Sequence, residues 1–168
     1  ADKYSNPDWI SADLIAQSEH DEMSQSILVS DSNDLINKVQ YCLNKQLKFL
    51  PKKKIALKSL SKFGLAILVR KSKEVTEIIN MIAPEHLQIY TKKPDKYLKS
   101  IDNAGSIFLG AYSPEAVGDY LAGPNHVLPT SGTAKFSSGL SVIDFLKRQS
   151  VIKISKRGIE KLGPSVVT

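Results

Sequence analysis

The feature that most constrains this chain is the repeated switch of its apolar period between strand and helix. "QSILVSDS" (25–32) is a compact apolar run. Residues 34–47 then carry Leu35, Val39, Cys42, Leu43 and Leu47 on one helical face. "FGLAILVR" (63–70) is a second apolar run. It is followed by 72–82, where Val75, Ile78, Ile79 and Ile82 fall at i, i+3, i+4 and i+7. "HLQIYT" (86–91) and "GSIFLG" (105–110) read as further strands, with a weak helix over 94–100 between them, opened by Pro94. Apolar runs of this kind, alternating with helices, belong to strands covered on both faces. The pattern predicts an α/β fold, a largely parallel sheet flanked by helices.

The remaining segments fill in around that alternation. "ISADLIAQSEH" (10–20) reads as a short helix capped by Ser11, with Ile10 and Ile15 placed for a hydrophobic staple. Ser113-Pro114-Glu115 is a strong helix start: a hydroxyl, a proline at the first position, an acid in the first turn. "GPNHVLPTSGTAKFSSG" (123–139) is too rich in Gly, Pro, Ser and Thr for regular structure. "SVIDFLKR" (141–148) reads as a helical turn or two, and "SVIKIS" (150–155) as a last strand. No internal repeat or composition shift marks a second domain.

The 168 residues, 42% of them apolar, are enough for one core, so residues 1–168 read as a single domain or part of one. A charged fraction of 24% argues against disorder. The formal charge is +6, but the lysines are scattered, and the one tight cluster, Lys52 to Lys54, reads as a solvated loop after Pro51. Basic residues interleaved with stacking aromatics are absent, so no nucleic acid partner is expected. The single cysteine, Cys42, excludes a disulfide framework within the chain and suits a reducing cytoplasm. No apolar run approaches ~20 residues, so no membrane-spanning helix is expected, and no leader pattern opens the chain. The chain begins Ala-Asp and stops at "PSVVT" inside an apolar run. Both ends read as cut, and a piece of a longer protein is expected. No G-x-G-x-x-G follows a strand and no P-loop occurs, so a dinucleotide must bind mostly elsewhere.

Three places combine ionisable residues with breaks in regular structure. Gln17 and His20 in "AQSEHD" are three apart and face one way on a last helical turn. They suit a metal, or a histidine favoured there by the helix dipole. Glu85 and His86 are neighbours after Pro84, at a corner between helix and strand. In a cleft the two could share proton transfers; on the surface they would be solvated. Asp119 lies one turn after Glu115, and His126 sits in the Gly-Pro-Asn loop; carboxylate and imidazole are both metal ligands. Long irregular loops of this kind are usually functional or mobile.

"DLIAQSEHD", "IAPEHLQI", "NAGSIFLGAYSPEAVGDYLAGPNHVLPTSGTAKFSSGLSV" and "SKRGIEKLGPSVV" together resemble the histidinol dehydrogenase family over nearly the whole chain. The resemblance implies an incomplete Rossmann-like fold. It also implies NAD-dependent oxidation of L-histidinol through the aldehyde to L-histidine, with a zinc ion in the site. By resemblance Gln17, His20 and Asp119 would be zinc ligands. Glu85 would activate water, His86 would take protons from the substrate, and His126 would contact it. The zinc-bound residues and His86 would also line the substrate.

The family completes its zinc site with a histidine from the partner subunit, and the same C-terminal region gives a glutamate to the substrate. This chain ends before both. The family's cofactor contacts, and a substrate-binding serine, would precede Ala1. A homodimer is therefore expected, and little or no turnover by this chain alone. Two rivals remain open: a metal-binding remnant without chemistry, against which the retained set of site residues argues, and a basic nucleic-acid scaffold, which would show steep salt dependence.

Overall fold

The computed structural model describes residues 1–167. Among them seven α-helices and four short strands follow one another along the chain. Helix α1 (Pro7–Ser18) starts earlier than the sequence suggests. Asn6 is its N-cap, accepting the Asp8 N–H, and Pro7 supplies the first position. Ser11 is thus no cap. It is fully buried, with its hydroxyl 2.7 Å from the Pro7 carbonyl and 3.0 Å from that of Val39. Ile10 and Ile15 form no staple either. They enter different clusters, Ile10 with Leu28, Leu35 and Val39, Ile15 with Leu47 and Ala56.

Strand β1 (Ile27–Ser30) leads into α2 (Asn33–Gln46), capped by Ser32, whose Oγ accepts the Leu35 N–H. Helix α3 (Lys53–Phe63) is where the lysine cluster was expected to be loop. Ala56 and Ser59 on its inner face are fully buried, and Ser59 donates to the Ser24 carbonyl. The lysines are helix formers on the outer face, and they mask this short apolar stripe in the sequence. Strand β2 (Leu65–Leu68) pairs in parallel with β1, Ile27 opposite Leu65.

Helix α4 (Ser72–Ile82) matches the expected bounds. Strands β3 (His86–Ile89) and β4 (Ser106–Leu109), with α5 (Asp95–Leu98) between them, form a second parallel pair, His86 opposite Ser106. The fold is therefore α/β with parallel strands, as expected, but the sheet is split into two pairs. One cavity of about 910 Å³ is lined by β1 from the first pair and β3 from the second. Helices α6 (Glu115–Tyr120) and α7 (Lys156–Leu162) complete the order. Residues 141–148 contribute a 3₁₀ turn, Val142–Phe145. "SVIKIS" forms no strand: Val151 and Ile152 are almost fully exposed, and no neighbouring strand offers a ladder. No helix among the described residues is long and apolar enough to cross a membrane.

The corner before β3 is fixed from three directions. Ala83 ends α4 in the left-handed region, φ 51°, with its N–H on the Ile79 carbonyl, and it is buried. Asn80 accepts the Asp102 and Asn103 N–H groups and donates to the Ser100 carbonyl, tying α4 to the approach of β4. Gly105 donates to the Pro84 carbonyl at 2.9 Å and Ser106 to that of Glu85 at 2.8 Å. A Cβ at Gly105 would collide with the Glu85 carbonyl oxygen, so only glycine permits this approach.

Candidate functional site

That corner delivers His86 to the first position of β3, with its side chain only 13% exposed. Phe108, on the adjacent strand, stacks on the imidazole with ring centroids 6.0 Å apart. Helix α6 lies against the same ring. Gly118 meets the Phe108 edge directly, leaving no room for a Cβ. This close docking carries Glu115 and Asp119, one helical turn apart, to opposite sides of the imidazole. Glu115 Oε1 is 3.6 Å from His86 Nδ1, and Asp119 Oδ1 is 3.3 Å from Nε2. The other Asp119 oxygen is 3.3 Å from Nδ1 of His126, whose side chain is largely exposed. Both His86 nitrogens are buried, yet neither makes a well-formed hydrogen bond.

Helix α1 faces this group across the cavity. Asp13, Gln17, Glu85, His86, Gln88 and Glu115 all line it. Burial pushes the Asp13 carboxyl up, and a hydrogen bond from Gln88 opposes this. Burial is also the main cause that raises Glu115. His86 and His20 pull it back down, while Asp119 and Asp13 push it further up. His20, an exposed residue just past α1, is therefore close enough to act on Glu115.

Gln17, His20, Glu85, His86 and Asp119 thus lie on one side of the molecule, and His126 joins them through Asp119. The tightest convergence differs in detail from the expected ligand set. Ligand atoms of His86, Glu115 and Asp119 lie within 4.8 Å of one another; Gln17 lines the adjoining cavity, and neither it nor His20 belongs to this group. Imidazoles and carboxylates are donors that suit zinc, with the Gln17 amide oxygen an unusual addition, and the partnerless His86 nitrogens show a polar centre left unsatisfied by protein groups. Glu115 and Asp13 were not among the expected site residues. The Glu115–Asp119 spacing was the available signal, because i, i+4 carboxylates share a helix face.

The family model described as histidinol dehydrogenase matches residues 1–168. Histidinol dehydrogenase of Zymomonas mobilis is 48% identical over 168 residues, covering 100% of this chain and 39% of the relative. That of Clostridium acetobutylicum is 52% identical over 167 residues, 99% of this chain and 39% of the relative. The crystal structure of histidinol dehydrogenase from Elizabethkingia anophelis superposes with a TM-score of 0.87 at 37% identity, covering 99% of this chain and 38% of that one. The chain spans about 39% of the length of the curated relatives it matches. On a match that runs from one end to the other in both sequence and backbone, this chain belongs to the histidinol dehydrogenase family of oxidoreductases.

Proposed function

We propose that this chain supplies the proton-transfer and metal-binding portion of a zinc- and NAD-dependent oxidation of L-histidinol, through L-histidinal, to L-histidine. The observation that carries this reading is the His86 imidazole: buried, beside Glu85, with both nitrogens unpartnered between Glu115 and Asp119. Oxidising an alcohol requires a base to take the hydroxyl proton as hydride leaves. A neutral imidazole is suited to that near pH 7, and His86 would act so. The aldehyde must then be hydrated before a second hydride can depart. Glu85, on the cavity wall, is the carboxylate that would draw a proton from the attacking water.

Gln17, His20 and Asp119 would hold the zinc, and His126, tied to Asp119, would contact the substrate. When bound, the zinc would hold the substrate's imidazole and amine in place, and each NAD would accept a hydride. No residue of this chain is assigned to the dinucleotide. The reading carries the expected homodimer and cytoplasmic setting with it, and no nucleic acid or membrane partner. Because the chain spans about 39% of the length of the curated relatives, it should bind without turnover when alone.

Calorimetric titration of L-histidinol into the chain tests this. Binding is expected in the presence of one equivalent of zinc and not after chelation, with no NAD reduction in either case. Equal binding with and without metal would overturn the reading. Histidinol-dependent NAD reduction by the isolated chain would overturn the expected lack of turnover.

A further inference from the structure

We propose that Glu115 is a positioning residue: its carboxylate accepts the Nδ1 proton of His86 and so presents a bare Nε2 toward Asp119 and the substrate. This rests on the proposed role of His86 as the base. An imidazole can take a proton only at the nitrogen that carries none. Nε2 is the nitrogen on the Asp119 side, where the metal and substrate would be, so Nε2 must be bare and the proton must reside on Nδ1. That proton needs a buried acceptor, and Glu115 Oε1 is the carboxylate oxygen facing it.

At 3.6 Å the pair is longer than a formed hydrogen bond. Hydrogen bonds of catalytic groups are commonly long in an unfilled site and tighten only when it is filled. The rest of the surroundings restrict the ring. Phe108 stacks on it, and Gly118 seats α6 on Phe108, so the helix that carries Glu115 is registered against the aromatic that holds the imidazole. The arrangement has the logic of a carboxylate that fixes the tautomer and orientation of a catalytic imidazole. Glu115 touches neither the reacting carbon nor the water in this scheme. It acts through His86.

The test reads the position of one proton, in the chain as it stands, without zinc, NAD or histidinol. Long-range ¹H–¹⁵N spectra at a pH where the imidazoles are neutral distinguish the two tautomers. The three histidines are separated by His20→Gln and His126→Gln. Asp119→Ala removes the competing carboxylate at Nε2. In that background His86 is expected as the Nδ1–H form. Adding Glu115→Met, which keeps side-chain length but offers no carboxylate, is expected to move it to the Nε2–H form. A residue that only packs would leave the tautomer where it was. His86 as Nε2–H in the Asp119→Ala chain, or no change on adding Glu115→Met, overturns the proposal. If the double variant loses its backbone amide fingerprint, the Asp119→Ala spectrum decides alone. Failure of the zinc-dependent histidinol reading would appear in calorimetry and leave this tautomer unaffected, so the two are separable.

Discussion

Asp13 and Glu115 are carboxyls raised by burial on the two walls of one cavity, and the pH behaviour of the chain should carry their mark. For Asp13 the sign is definite. Its folded-state value lies above the ordinary aspartate value, so between the two the folded chain holds more protons than the unfolded one. Stability therefore falls as pH rises through that window and stays reduced above it. Asp13→Asn removes the charge that must be buried. Thermal melts should show a smaller loss between pH 4 and pH 7 than in the unaltered chain, and a higher Tm at pH 7. At this scale the sequence was informative about identity and poor about partnership. Glu85–His86 after Pro84 could be recognised as a corner because proline and a helix–strand change mark it. Glu115 could be recognised as a helix-start acid sharing a helix face with Asp119, but a favourable dipole position already explains an acid there. Its proximity to His86, 29 positions earlier (115 less 86), arises from folding alone.

Elements decide whether those side chains meet. Helix α6 has six residues, too few to be stable by itself, and it is held by contact with Phe108 at Gly118. Gly118→Ala would place a methyl inside the ring edge and push the helix away. It should cost about 1–3 kcal/mol in a denaturant midpoint experiment, the usual range for overpacking. It should also weaken zinc binding, because Asp119 moves with the helix. A zinc affinity unchanged by Gly118→Ala would show that α6 docking does not set the site. Helices α2 and α4 were legible because their apolar periods are strong and Ser32 caps the first of them. Helix α3 was hidden because lysines outnumber its buried positions, and "SVIKIS" misled because β-branched content without a pairing strand does not make a sheet.

For the whole molecule, parallel strands and flanking helices followed from the apolar runs, but the division into two pairs with a cavity between them did not. Strand pairing is settled by what covers each edge, and that is not encoded in any single run. The buried clusters draw on α1, β1, α2 and α3, whereas residues 140–167 leave Phe145, Ile152 and Val167 largely exposed. The site is therefore assembled at the margin of the core. Helix α1 is anchored in it, and α6 and the His126 loop lean in from outside. We propose that Gln17, His20 and Asp119, separated by up to 102 positions (119 less 17), hold one divalent ion together. Zinc titration of the chain beside its Asp119→Ala variant tests this most directly. One zinc per chain is expected, with a loss of affinity of more than about tenfold in the variant. Equal zinc stoichiometry and affinity in the two proteins would contradict it.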